Sequence, residues 1–403
     1  MNLCRTALSF LPALLAVWSL VAFPACSFDP SGVPNPSGDG DGATDDGGRR
    51  DARPEDGGTP DAYVPDAYVP DAYVPPCTGD TFECLPDGRA RVCQNDQWTN
   101  LGLCPLGCDP MARACRVPSN APPDAMEEGS GGIAPAAESP ITINTNNGSI
   151  THASGTLRPA DTFGVDPGSG IYFNHYPQSD GDKELGVFSM DTLHIGSEVE
   201  VFVVGSHPLV LLVDEDVTIE GVFHLEGAEG QAGAGGYAGG PPETAGLGSC
   251  PGQPGAGNND GHGCTSGSGG GGHSSSGGAG GNAHCEGFTG GAGGSGGCGN
   301  ENLIPLFGGS GGAGGSVMSG EGSTNPGDGG GGGGAIQITA SGHLTISAGG
   351  INAGGGEGGQ CTSAGGAGGG AGGAILLEAQ SVDLVAGAVL AANGGGGGGG
   401  DCT

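Results

Sequence analysis

Two stretches near the C-terminal end carry one pattern, and that pattern leaves the chain few ways to fold. The first reads GAIQITASGHLTISAGGINAGGGEGG from Gly334, the second GAILLEAQSVDLVAGAVLAANGGGGGG from Gly373. In the first, Ile336, Ile338, Leu344 and Ile346 alternate with small or polar residues, the period of strands with one buried face. Leu377, Val382, Leu384, Val389 and Leu390 fill comparable slots in the second. A weaker third copy, LVLLVDEDVTIEGVFHLEGAEG from Leu209, aligns Val217 and Ile219 with Leu344 and Ile346 and meets its glycine tract at Gly227. A unit this small buries little alone, so copies must stack to share a core. The expectation is an all-β C-terminal domain over 141–403, a β-solenoid of the right-handed parallel β-helix kind with glycine-rich loops. A stacked sheet with glycine-rich insertions at one corner fits the pattern equally well.

Glycine supplies 94 of the 403 residues, far above the usual ~7 per cent, so long tracts are neither ordinary helix nor side-chain core. The insert 227–334 is mostly Gly, Ala and Ser. Such composition reads as flexible linker, but its cysteines argue for cross-linking. Two ordered forms fit it: loops hugging a corner of the column, or packed polyproline-II strands whose glycines admit close backbone approach. The sequence favours irregular loops pinned by disulfides.

Charge excludes two classes of partner. The net charge is −34, and no Lys or Arg follows Lys183. Nucleic acid needs cations to displace its counterions, and anionic headgroups need the same. Divalent cations or cationic polymers remain compatible, and the acidity also serves simple solubility.

Residues 1–25 pair a short basic n-region at Arg5 with an apolar run from Ala7 to Phe23, a signal-peptide pattern rather than a transmembrane helix, because a cleavage-like end is followed at once by polar, Pro/Gly-rich chain. The junction Phe23-Pro24-Ala25-Cys26 resembles a bacterial lipobox, departing from it at Phe23 and Pro24. That resemblance implies lipid modification of Cys26, and Ser27 after it implies outer-membrane sorting. Cleavage after Ala25 as an ordinary secretory signal is the alternative. Residues 26–76 are an Asp/Gly/Pro stalk with three Asp-Ala-Tyr-Val-Pro repeats at 61–75, expected to be disordered or extended. The tyrosines read as spacer or as recognition motif.

Fourteen cysteines point to an oxidising compartment. Setting aside Cys4 and Cys26 leaves two sets of six. Cys77, Cys84, Cys93, Cys104, Cys108 and Cys115 define a small disulfide-rich module over 77–116, with Phe82, Leu85 and Trp98 as its mini-core; fifteen pairings are open. Cys250, Cys264, Cys285, Cys298, Cys361 and Cys402 form the second set. Residues 117–140 read as a linker. Arg89, Arg91, Arg113 and Arg116 in the module either contact an acidic glycan or offset neighbouring aspartates.

The stretch CTGDTFECLPDGRARVCQNDQWTNLGLCPLGCDPMARAC resembles small cysteine-rich modules of secreted proteins from myxobacteria. The segment VFSMDTLHIGSEVEVFVVGSHPLVLLVDEDVTIEGVFHLEG from Val187 resembles the opening rungs of glycine-rich surface proteins in the same bacteria, and the whole has a PE-PGRS-like character. The resemblance implies a cell-surface lipoprotein of the outer membrane. Within that segment Leu193, Ile195, Val199, Val201 and Val203 alternate and should point inward. Ile141, Ile143 and Ile150, among Thr and Asn, read as edge-like strands.

Motifs for chemistry are weak. Gly-x-Ser-x-Gly around Ser295 and Ser310 lacks the strand and helix of a nucleophile elbow. Asp214 and Asp216 either share a strand face or bracket a turn, the kind of pair a glycosidase would use. His262, Cys264, His273, His284 and Cys285 mix metal-ligand types, but disulfides are the favoured fate of their thiols. No metal and no cofactor is expected. The sequence reading is a non-catalytic structural or adhesive protein, anchored in the membrane through lipid and contacting an extracellular glycan or surface ligand. The alternatives are a carbohydrate-active enzyme on a β-helix, discriminated by two carboxylates converging at a cleft, and a polyproline-II bundle binding a surface.

Overall fold

The computed structural model describes residues 76–134, 139–179, 183–257, 264–283, 287–317, 326–361 and 364–399. The signal segment, Cys26 and the stalk up to residue 75 lie outside these, as do His262, His284, Cys285 and Cys402. Among the described residues the structure is all-β, with one short 3-10 helix at Pro123–Glu127.

The repeats form successive tiers that pair in parallel. Leu185–Met190, Leu209–Val213, Ala335–Ile346 and Ala374–Leu384 lie side by side in one sheet. Thr192–Ile195 and Val217–Ile219 continue it, pairing in turn with the second half of Ala335–Ile346. A second sheet repeats the order with Glu200–Val204, Val222–His224, Gly350–Asn352 and Val389–Ala391. The register is that of the sequence alignment: Val217 opposes Leu344 and Ile219 opposes Ile346, which in turn oppose Val382 and Leu384.

Both sheets feed one aliphatic core. Leu193, Ile195, Val199, Val201 and Val203 point into it as their alternation requires, beside Leu211, Ile338, Leu344 and Ile351. Leu209–Val213 is buried at every position. Its outer face, Val210 and Leu212, packs with Leu185, Val187, Leu306 and Ala335 against Ala121, Ala125 and Met126. A parallel strand covered on both faces reads as a continuous apolar run, and LVLLV is one.

That outer packing corrects the linker reading of 117–140. Among the described residues of this stretch, Ala121, Ala125 and Met126 are buried, Gly132–Ile133 pairs in parallel with Thr192–Leu193, and Ser189 Oγ donates to the Met126 carbonyl at 3.0 Å. Small apolar side chains fill the shallow relief of the sheet's outer face. Ile141–Asn144 is likewise no edge. It sits between Glu200–Val204 and Ile150–His152, with Ile141, Ile143 and Ile150 buried. The last tier differs from the expectation in another way: Leu384 is 55 % exposed where its counterpart Ile346 is 0 %. The slots are equivalent in register, but among the described residues no further tier lies over them.

The cysteine module is a three-stranded antiparallel sheet, Phe82–Cys84, Arg89–Gln94 and Gln97–Leu103, closed by Cys77–Cys93, Cys84–Cys108 and Cys104–Cys115. Its buried residues are Cys77, Ala90, Cys93, Cys104 and Leu106. Phe82, Leu85 and Trp98 are only half-buried, with the Arg91 guanidinium 4.2 Å over the Trp98 ring. Sulfur, rather than the aromatic residues, makes this interior. Loops of this length each lose about 3 kcal/mol of unfolded-state entropy on closure. Reduction is therefore expected to expose 77–116 to protease before the tiers are cut; loss of the tiers first, followed by mass spectrometry, would contradict this.

The glycine tracts are not irregular loops. Gly329 and Gly332 donate their N–H groups to Gly240 and Tyr237, Gly330 and Gly333 to Gly368 and Ala371, and Gly331 and Gly334 to Ala228 and Leu225, all at 2.7–2.8 Å. The partner segment changes at each residue and returns at every third. Ser268 to Gly272 repeat the rotation: 268 and 271 donate to 366 and 369, 269 and 272 to 253 and 250, and 270 to 278. Three residues per turn is the period of a polyproline-II-type chain. A Cβ on Gly331, Gly332 or Gly333 would fall within 3.0 Å of a neighbouring backbone carbonyl, a separation real Cβ atoms essentially never show. The segment 329–334 therefore needs glycine at all three phases, whereas Ser310, Ala313 and Ser316 show a buried segment that admits a small side chain at one of them. This backbone satisfaction is what the loop reading missed: its hydrogen-bond partners come from distant glycine tracts.

Candidate functional site

Several of the residues singled out by sequence hold structure. Cys250 bonds to Cys298, and Cys264 is disulfide-bonded. Cys361 departs from the second set of six. It is a free, buried thiol whose sulfur accepts the Gly327 N–H at 3.1 Å. His273 is buried, with Nε2 3.3 Å from the Phe307 carbonyl and its ring edge-on to Phe307. Burial holds its pKa below the ordinary histidine value. Ser310 accepts the Cys250 N–H at 3.0 Å, joining two glycine-rich segments, which is not a nucleophile's setting. Asp214 and Asp216 bracket the turn after Leu209–Val213. Asp216 accepts the His343 N–H at 2.7 Å, and the Ser341 hydroxyl donates to the Asp214 carbonyl, tying one tier's turn to the next.

Two features offer surfaces to a ligand. The outer segments of the glycine lattice leave one phase open: a Cβ at Gly278, Gly281, Gly396 or Gly399 would meet nothing within 4 Å. These positions recur every third residue and flank a shallow groove of about 230 Å³ walled by glycine backbone. A second, wider groove of about 470 Å³ opens where the tiers run into the lattice, lined by Glu226, Glu229, Glu357, Asn352 and Asn393. Glu226 is engaged with His224 Nδ1 at 2.9 Å. Carboxylates and side-chain amides around bare backbone suit a cation or the hydroxyls of a glycan.

A third grouping was not visible in the sequence. His175, Glu184 and His207 converge, each offering one potential ligand atom within 4.8 Å of the others. The signal that finds it is register. His175 opposes Gly186, and Gly186 opposes Leu209, so Glu184 and His207 sit two residues before facing positions of adjacent strands. Nearby, Arg158 is fully buried and donates to the carbonyls of Gly148 at 2.7 Å, Ile171 at 3.1 Å, Gly164 at 3.1 Å and Thr162. No family model, curated protein or solved structure matches the chain.

Proposed function

We propose that this is a lipid-anchored structural or adhesive protein of the cell surface, whose C-terminal domain is a parallel β-solenoid carrying a glycine lattice. The observation that carries the reading is the parallel pairing of four successive tiers, Val187 to Val210 to Gln337 to Leu376. A column of that kind, braced by disulfides and fronted by backbone rather than reactive side chains, is suited to spanning and contact. In this reading residues 1–25 direct export, acylated Cys26 inserts in the outer membrane, and the stalk 26–76 holds the module and column outside. One acyl chain contributes about 0.8 kcal/mol per buried methylene.

Growth in radioactive palmitate tests the anchor: label is expected on the wild-type chain and absent from Cys26→Ala. Equal labelling of the two would remove the anchor. Protease treatment of intact cells should release fragments of 76–403, and their retention inside would place the column elsewhere.

A second reading, the polyproline-II-type bundle as the binding surface, is favoured by the three-residue rotation of the lattice bonds and the open rows at Gly278, Gly281, Gly396 and Gly399. There the ligand would be a flat, repetitive surface meeting bare backbone. Gly278→Tyr would abolish retention on such a surface under this reading and leave it unchanged under the first.

A further inference from the structure

The histidines of the third grouping are prepared for coordination by what they already bond. His175 Nε2 lies 3.0 Å from the Thr145 carbonyl, and His207 Nδ1 lies 3.0 Å from the Glu184 carbonyl. A carbonyl only accepts, so each of those nitrogens carries the ring proton. The lone pairs are then on His175 Nδ1 and His207 Nε2. Anchoring one ring N–H on a backbone carbonyl is how proteins set the tautomer and orientation of a metal-binding imidazole.

The surroundings hold the trio in place. Phe163 and Phe173 meet the His175 ring edge-on at 5.7 and 5.1 Å. The turn before His207 is pinned by Asn146 Oδ1, which accepts the Ser206 N–H at 2.7 Å and its hydroxyl at 2.9 Å. Lys183 Nζ donates to the Ser206 carbonyl at 3.1 Å, tying the segment of Glu184, just before the strand Leu185–Met190, to the same turn. The two imidazoles stand 4.4 Å apart, inclined by 41°.

We propose that His175, Glu184 and His207 form a three-ligand site for a divalent transition metal, of the two-imidazole, one-carboxylate kind that suits Zn²⁺. The fourth position faces solvent. Donors at about 2.0–2.2 Å in tetrahedral geometry stand about 3.3 Å apart, so the site closes by a contraction of the order of 1 Å, within reach of the exposed Glu184 side chain. Cu²⁺ would compete, being favoured over zinc by nitrogen ligands generally.

The test is calorimetric titration of Zn²⁺ into the oxidised, metal-free exported chain carrying Cys361→Ser, with Co²⁺ absorption as a second readout. We expect one saturable site per chain above the weak background of surface acids, with the intense visible bands of tetrahedral Co²⁺. His207→Gln should weaken binding at least 100-fold and remove those bands. Glu184→Gln, which keeps the shape of an exposed side chain, should weaken it about 10-fold or more with unchanged circular dichroism. Affinity and spectra unchanged in Glu184→Gln and His207→Gln, or no saturable binding in the parent chain, would overturn the proposal.

Discussion

Gly332→Ala should unfold the glycine lattice, while Gly396→Ala in the same tracts should leave it intact. The methyl group at 332 would press on the backbone of Gly309, within 3.0 Å of its carbonyl, while the residue's own N–H is committed to Tyr237 at 2.8 Å. Backbone cannot rotate away as a side-chain end can, so the segment must move and release bonds to several neighbours at once. Overpacking ordinarily costs about 1–3 kcal/mol. Here we expect about 3 kcal/mol or more, as for glycine replacement at the crowded axis of a triple helix. At Gly396 the added methyl meets nothing within 4 Å, and the change should stay within about 0.5 kcal/mol. Thermal melts with amide exchange over 327–334 distinguish the two. Equal effects at both positions would mean that the lattice does not exist in solution.

Arg158→Ala should be among the most damaging single changes outside the lattice. The guanidinium is wholly buried, stands 5.3 Å from the Phe173 ring centre, and supplies donors to the carbonyls of Gly148, Ile171, Thr162 and Gly164. These belong to the connections around Ile150–His152 and Tyr172–Tyr176. The Ile171 carbonyl would keep the Asp166 N–H at 3.1 Å, but those of Gly148, Thr162 and Gly164 would lose this donor, at about 1–3 kcal/mol for each left buried and unpaired before relaxation. A net loss of about 3–5 kcal/mol in urea denaturation is expected. Arg158→Lys should recover less than half of it, since one ammonium cannot span acceptors arranged around a planar fork. A loss below 1 kcal/mol for the alanine variant would show that the carbonyls are solvated instead.

The tiers were legible because inward residues of parallel strands recur at fixed offsets. The match of Val217 and Ile219 to Leu344 and Ile346 is a register, and it survives in the pairing. What was not legible depends on partners remote in the chain. Nothing local distinguishes Ala121, Ala125 and Met126 from linker residues until the outer face of Leu209–Val213 is seen to lack a cover. The glycine tracts look featureless because their order resides in amides and carbonyls, which every sequence possesses. The alternative of packed polyproline-II strands named the right period, but composition alone favoured loops. His175, Glu184 and His207 escaped notice for a related reason: their spacing matches no ligand motif, and only strand pairing joins them.

The lattice also sets how this protein responds to temperature. Unfolding an ordinary domain hydrates mostly hydrocarbon, which raises the heat capacity, whereas hydrating peptide groups lowers it. In the segments from Gly327 to Gly334 and Ala364 to Gly373 the buried material is almost entirely peptide. The enthalpy and entropy of melting this part should therefore drift little with warming, giving a broad, shallow stability curve. This part of the chain would lose little cohesion on warming or on cooling.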